Sequence, residues 1–189
     1  IEAQLLDGYL ATAGMTRNDV KLLGVDSASK VSSVVSGRGD AATGPVPYYR
    51  ATLAGKTEID ALLYADQGIK MLDFGLVVHD SAVTSRAKAI AALVKVMSRA
   101  FEYTAQGNNV DEAVKAMIAL RPEANLDHTL AVAMFKEHAA FMSSPATAGK
   151  PAGFIAPEDI RDTVKTLRDI KVIDGPLNPE DVYTTAFNP

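Results

Sequence analysis

The chain has 189 residues and a formal net charge of −4, with 48% hydrophobic and 22% charged residues. This composition is typical of a folded globular protein, because disordered chains combine few hydrophobic residues with a high net charge. A mildly acidic chain has no excess of basic residues to bind phosphates, so we predict no nucleic-acid partner. The sequence contains no cysteine, which excludes disulfides, thiolate metal sites and cysteine nucleophiles from these residues.

The first part of the chain alternates short apolar runs with short helical patterns. Helices are predicted at residues 2–13, 28–36 and 47–53, of which the first two are followed by glycine and the third begins with proline. Four apolar runs predict strands, at residues 20–25, 40–43, 61–64 and 73–78. Strands that alternate with helices form βαβ units, so the sequence predicts an α/β fold with a mostly parallel sheet.

The remainder of the chain has helical periodicity. Apolar residues recur at helical spacing over residues 85–106, which predicts one long helix. Shorter helices are predicted at residues 110–120, at residues 125–142 and from Pro157 onward, each with a capping or first-turn signal. Residues 143–153 are rich in small residues and predict a surface connection.

Three histidines are the first candidates for catalysis or metal binding: His79, His128 and His138. His128 and His138 lie out of phase on one predicted helix, so their spacing does not favour a shared metal. The pattern is more typical of ordinary surface or half-buried histidines. The sequence also has no nucleophile elbow, phosphate-binding loop or zinc-binding helix motif. We therefore predict no catalytic residue, no metal site and no cofactor.

Residues 37–40 read GRGD, which is a short cell-adhesion motif. Such a motif acts from a protruding, flexible loop. Here Asp40 is followed by Ala41 and Ala42, which are predicted to enter a buried strand. We therefore predict that GRGD forms the turn before a strand and is not an adhesion site.

A candidate ligand site follows two of the predicted strands. In α/β sheets, ligands bind beyond the carboxyl ends of strands, where loop amides and helix N-termini are exposed. Gly44 permits close backbone approach, and Tyr48 and Tyr49 offer aromatic surfaces with a polar end. The residues after the two strands are Asp26, Ser27, Thr43, Gly44 and Tyr48. The spacing equally favours a second interpretation, in which these residues are turns and helix caps.

Four passages stand in a distinctive order along the chain. They are YLATAGMTRNDVKLLGV, VSSVVSGRGDAATGPVPYYRATLAG, FGLVVHDSAVTSRAKAIAALVKVMSRAFEYTAQ and GFIAPEDIRDTVKTLRDIKVIDGPLNPEDVYTTAF. In this order they resemble the ABC-transporter substrate-binding proteins of the SsuA/THI5-like (NMT1-like) family. Within the second passage, the residues in register with the family pattern are Gly37, Asp40, Ala41, Pro47 and Tyr48.

The resemblance covers nearly the whole chain, which is similar to about the carboxyl-terminal two thirds of a family member. It implies a periplasmic-binding-protein type II fold, in which two α/β lobes are joined by a hinge. Residues 1–74 would form the second, ligand-cleft lobe, and residues 75–189 would form the returning hinge strand and the mostly helical part of the first lobe. The N-terminal part of the first lobe would then precede Ile1. The family's loop after the strand at 40–43 faces the cleft, which adds Pro45 and Val46 to the candidate ligand-binding residues.

The function that this resemblance implies is that of an extracytoplasmic or periplasmic solute receptor for an ABC importer, and not that of an enzyme. It would capture a small polar or anionic molecule of the sulfonate, nitrate, taurine or thiamine-precursor class and deliver it to the ABC permease subunits. The receptor is expected to be monomeric, with any lipid anchor in residues before Ile1. Sulfonate-binding members often have bulky aromatic residues in the loop where this chain has Thr43 to Val46, so the resemblance does not select the ligand.

Two alternatives stay open at this stage. One is a THI5-like enzyme of pyrimidine synthesis, although such enzymes use a cysteine-rich motif and a lysine-bound pyridoxal phosphate, and this sequence has no cysteine. The other is the effector-binding domain of a LysR-type regulator, because those domains have the same type of fold.

Overall fold

The computed structural model describes residues 2–27, 29–105 and 109–189. Two predicted helix ends, Ala28 and Gln106, lie outside these residues. Within the described ranges the α-helices are α1 (Glu2–Thr12), α2 (Ser29–Val35), α3 (Val46–Leu53), α4 (Asp80–Ser85), α5 (Ala87–Ala105), α6 (Val110–Leu120), α7 (His128–Ala139) and α8 (Pro157–Asp169). The predicted helices are thus present. The structure has one further helix, α4, which the sequence pattern did not indicate.

The predicted α/β fold is wrong, because none of the described residues belongs to a β-strand. The periplasmic-binding-protein type II architecture with two α/β lobes is therefore not what this structure has. A β-prone run becomes a strand only where a neighbouring strand accepts and donates its backbone hydrogen bonds. The four predicted strands have no such neighbour among the residues that the structure describes. Several of their apolar side chains face solvent instead, with Phe74 90% exposed and Val77 91% exposed.

Two helices, α7 and α8, begin where local side-chain chemistry stabilises their first turns. Asp127 caps α7, since its carboxylate accepts a 2.7 Å hydrogen bond from the backbone N–H of Leu130. Pro157 opens α8, and Glu158 and Asp159 follow in its first turn, where negative charge interacts favourably with the helix dipole. These signals act over a few residues, which is why the sequence pattern located the helices well.

One group of helices packs around α7. Helix α3 lies against α7, where Arg50 and Glu137 form a 3.6 Å ion pair, and α5 and α6 also contact α7. The most deeply buried side chains of this group are Val110 and Val114 of α6. Helix α3 belongs to the predicted lobe 1–74, whereas α7 belongs to the predicted segment 75–189. The division between residues 74 and 75 stays a prediction.

A second group joins both ends of the chain. The ring of Tyr9 in α1 lies 5.1 Å from the ring of Tyr64, which begins a short 3-10 helix at Tyr64–Gln67. Helix α8 holds the following residues, because the Thr166 hydroxyl donates a 2.7 Å hydrogen bond to the Lys70 carbonyl oxygen. The Thr163 hydroxyl of the same helix accepts a 2.9 Å hydrogen bond from the backbone N–H of Leu72. Residues 70–72 are therefore fixed by α8 side chains and not by a sheet.

The chain exposes a large surface for its size. Its accessible surface is 13017 Å² at a mass of 20.0 kDa. Folded monomers of this mass expose about 8,700 Å². Large exposed apolar side chains occur in the unpaired runs and on one side of α5, where Leu93 and Val96 are 47% and 61% exposed. None of the described helices combines the length and the apolar character needed to cross a membrane.

Candidate functional site

The candidate site is built around the backbone carbonyl of Thr43, at the start of the loop before α3. This oxygen accepts a 2.7 Å hydrogen bond from the Tyr49 hydroxyl and a 3.2 Å hydrogen bond from the Lys30 ammonium group. Lys30 belongs to the first turn of α2, and Tyr49 belongs to α3. The two donors therefore fix the loop from both sides, and a lysine charge lies next to it. We call residues 43–45 the Thr43 loop.

Gly44 follows in a backbone conformation with φ of +155°, which residues with a side chain rarely adopt. A Cβ atom at this position would lie 2.4 Å from the Tyr49 hydroxyl oxygen. The hydrogen bond between Tyr49 and Thr43 thus passes over Gly44, and only glycine leaves room for it.

The second half of the loop turns into α3. Pro45 precedes the helix with φ of −68°, and Val46 is its first residue. Pro47 lies in the first helical turn, so its predicted position is confirmed. The half-buried ring of Tyr48 lies 5.8 Å from the ring of Tyr49 at an interplanar angle of 57°. Tyr48 thus stands beside the Thr43 loop with part of its aromatic surface accessible.

Asp26 and Ser27 precede Lys30 in the chain, just before α2. The Asp26 carboxylate accepts 2.9 Å hydrogen bonds from both the backbone N–H and the hydroxyl of Ser29, at the start of α2. Asp26 therefore acts as a helix cap, as the second interpretation of the sequence had it. Ser27 is exposed. Because Lys30 is one turn beyond Asp26 and reaches Thr43, the start of α2 is adjacent to the Thr43 loop.

Lys30 was not among the predicted site residues, and Tyr49 was predicted only as an aromatic surface and not as a donor to the Thr43 carbonyl oxygen. Both side chains donate a hydrogen bond to a backbone carbonyl oxygen. Every residue has such an oxygen, so the sequence does not show which one accepts the bond. The only available signal was local, since Tyr49 stands six residues after Thr43, across a loop containing glycine and two prolines. No sequence pattern indicated that the Lys30 ammonium group donates to the carbonyl oxygen of Thr43, 13 residues later in the chain.

The GRGD sequence forms an exposed turn after α2. The backbone N–H groups of Arg38 and Gly39 both donate to the Ser33 carbonyl oxygen, at 2.8 and 3.2 Å, and Gly37 has φ of +74°. The turn is therefore confirmed. The buried strand predicted after this turn is wrong, because Ala41 and Ala42 are exposed and neither belongs to a β-strand.

Two of the histidines, His128 and His138, each contact an oxygen acceptor. Nε2 of His128 lies 3.0 Å from the Asp111 carboxylate, which also binds the Lys115 ammonium group at 2.5 Å. The hydrogen bond from Lys115, with a smaller contribution from His128, holds the pKa of Asp111 below its ordinary value. Nδ1 of His138 lies 2.9 Å from the Met134 carbonyl oxygen. No group of three or more metal-binding side chains occurs among residues 2–27, 29–105 and 109–189.

Comparison with known proteins gives one family. The family model described as NMT1/THI5 like matches residues 1–109, which include the Thr43 loop and the start of α2. No curated protein and no solved structure matches the chain.

Proposed function

The chain belongs to the NMT1/THI5-like family, and from this membership we propose that it acts as the substrate-binding protein of an ABC importer. The family includes both ABC substrate-binding proteins and THI5 enzymes. The observation that carries the proposal is the family match over residues 1–109, more than half of the chain. In this role the protein works outside the cytoplasm as a monomer and delivers its ligand to the permease subunits.

The proposed ligand contacts are Asp26, Ser27, Thr43, Gly44, Pro45, Val46 and Tyr48. The geometry of the Thr43 loop supports this assignment in two ways. The loop is held in one conformation by Lys30 and Tyr49, which reduces the entropy lost when a ligand binds. Tyr48 adds a partly exposed aromatic ring beside it.

The chemistry of these residues favours a small polar or anionic ligand. Loop amides, the lysine charge near Thr43 and the small side chains of residues 43–46 leave space for a compact group of the sulfonate, nitrate, taurine or thiamine-precursor class.

The test is a thermal-shift screen of the complete chain against sulfonates, nitrate, taurine and pyrimidine precursors of thiamine. A ligand that binds only the folded state at a hundredfold excess over its Kd stabilises the protein by about 2.7 kcal/mol. We expect at least one compound to raise the melting temperature, and Tyr48→Ala to remove that shift. Tyr183→Ala, which changes a half-buried tyrosine outside the proposed site, is the matched control and should keep the shift. A panel without any stabilising compound would argue against the receptor function.

The THI5-like enzyme is the second candidate, since the family also contains such enzymes. The cysteine-rich motif of those enzymes has no counterpart in these 189 residues. A visible absorbance band after incubation with pyridoxal phosphate, lost on substitution of one lysine, would favour the enzyme over the receptor. The LysR-type alternative depended on the α/β fold and loses its support with the correction of that fold.

A further inference from the structure

His79, one of the three histidines in the sequence, lies immediately before α4 and caps it. Its backbone has φ of −69° and ψ of 141°, the extended conformation that a capping residue adopts. Nδ1 of its ring accepts a 3.2 Å hydrogen bond from the backbone N–H of Ser81 and lies 2.9 Å from the Ser81 hydroxyl. His79 therefore occupies the position that serine, threonine, aspartate or asparagine usually takes at the start of a helix.

The hydrogen bond from Ser81 determines which ring nitrogen of His79 carries a proton. A backbone N–H can only donate, so Nδ1 must present its lone pair to it. The cap therefore requires the neutral imidazole with its hydrogen on Nε2. Protonation of Nδ1 turns this acceptor into a donor, and the Ser81 N–H then loses its side-chain partner.

The charged groups around His79 do not compensate for its protonation. Helix α4 carries one carboxylate, Asp80, and is followed by Arg86, and α5, which packs against α4, has the exposed Lys88 in its first turn. In the part of the chain that the structure describes, no carboxylate lies within 4.0 Å of a His79 ring nitrogen. The N-terminus of a helix also disfavours a positive charge. An imidazolium at this position thus loses a hydrogen bond and gains no direct ion pair.

The cap lies at one end of the extended run at residues 73–78. At the other end of this run, the backbone groups of Lys70 and Leu72 are bound by side chains of α8. Beyond the cap, α4 packs against α5. The run is thus held at both ends, and the bond between His79 and Ser81 is a contact at its helical end that a proton can break.

We propose that His79 is a pH-sensitive cap of α4, which holds the first turn of the helix when its ring is neutral and releases it when Nδ1 is protonated. Histidine side chains ordinarily titrate near pH 6.5, so acidification to about pH 5 adds the proton. The stabilisation by the cap is present above this range and is lost below it. At the lower pH the run at residues 73–78 is released at its helical end and moves more freely. This device stands independently of the receptor function.

The first experiment is nitrogen NMR of the histidine rings in the full chain at about pH 8 and about pH 5. At the higher pH we expect the proton of the His79 ring on Nε2, and the backbone amide signal of Ser81 should shift as the ring is protonated. The helical carbon shifts of residues 80–85 should decrease at the same time, with a roughly fivefold fall in the ratio of closed to open first turn, the usual effect of losing a cap. A proton on Nδ1 at the higher pH, or helical shifts that do not change with pH, overturns the proposal.

Two variants then assign the pH dependence to His79. His79→Asn keeps a capping acceptor that does not titrate, so it should keep residues 80–85 helical at both pH values. His138→Asn is the matched control, because it removes a histidine on α7 whose Nδ1 contacts the Met134 carbonyl oxygen. The control should leave the pH dependence of α4 unchanged. If His79→Asn retains the full pH dependence, or if His138→Asn removes it, another group is responsible and the proposal fails.

Discussion

The Tyr49 hydroxyl donates a 2.7 Å hydrogen bond to the carbonyl oxygen of Thr43, six residues earlier in the chain. This bond closes the loop before α3 onto the helix that follows it. Since Lys30 donates to the same oxygen, the loop is also joined to α2. The shape of the proposed ligand site thus depends on a hydroxyl outside the set of proposed ligand contacts.

Removing this hydroxyl should destabilise the protein. Tyr49→Phe deletes the donor and keeps the ring, so we expect the free energy of unfolding to fall by about 1 kcal/mol, the usual value of one hydrogen bond. Tyr48→Phe is the control, because the Tyr48 hydroxyl has no hydrogen bond within the described residues. Urea denaturation of both variants measures the difference, and equal stability of the two would contradict a structural role for the bond.

Gly44→Ala should be more damaging than most glycine substitutions in this chain. It places a methyl group 2.4 Å from the Tyr49 hydroxyl oxygen and forces alanine into φ of +155°. Backbone strain of this kind costs about 1–3 kcal/mol, and loss of the hydrogen bond adds to it. Gly75→Ala is the matched control, since a Cβ there has no neighbour within 4 Å. Thermal denaturation should show a clear loss for the first variant and little change for the second.

Gly8→Ala tests the contact between α1 and the end of α8. A Cβ at Gly8 would lie 2.7 Å from Cγ2 of Ile170, a stiff β-branched side chain. Alanine favours a helix over glycine by up to about 1 kcal/mol, but the overlap should outweigh this gain. Gly8→Ala should therefore lower the stability, and adding Ile170→Ala should relieve the overlap. If Gly8→Ala alone raises the melting temperature, the two helices are not in close contact.

The ion pair of Asp7 and Arg17 should contribute stability that depends on pH. Arg17 binds both carboxylate oxygens of Asp7, at 2.5 and 3.0 Å, and this hydrogen bonding holds the pKa of Asp7 below its ordinary value. An unfolded aspartate titrates at about pH 3.9. The stabilisation is therefore present above that pH and is lost as the pH falls through the lower pKa of the folded state.

The measurement is an NMR titration of Asp7 in the wild-type chain and in Arg17→Gln. The pKa of Asp7 should rise towards its ordinary value in the variant. Asp19 is an internal control, because the backbone and hydroxyl of Thr16 lower its pKa and remain in place. An Asp7 pKa that does not move would show that the pair is not formed in solution.

The helices were predictable because their signals are local, whereas the strands were not. Pro157 marks the start of α8 by chemistry that acts within one turn, whereas the helix predicted from residue 125 begins at His128, after its cap Asp127. A strand requires a partner that no short run encodes, and the runs containing Leu22 and Phe74 have none among the described residues. The candidate site also has one part that was predictable from a local signal and one part that was not. Pro47 was placed correctly by its fixed φ angle, but the bond from Lys30 to Thr43 spans 13 residues and depends on packing that the pattern did not indicate.

The unpaired run at residues 73–78 has a consequence for the behaviour of the chain in solution. Its amide hydrogens have no backbone acceptor in the described structure, so they should exchange with deuterium far faster than those inside α5. The same free donors and acceptors, flanked by the exposed Phe74 and Val77, can also template pairing with another extended chain. Concentration-dependent aggregation should therefore begin at this run, and a lysine at Val77 should delay it without changing the helices.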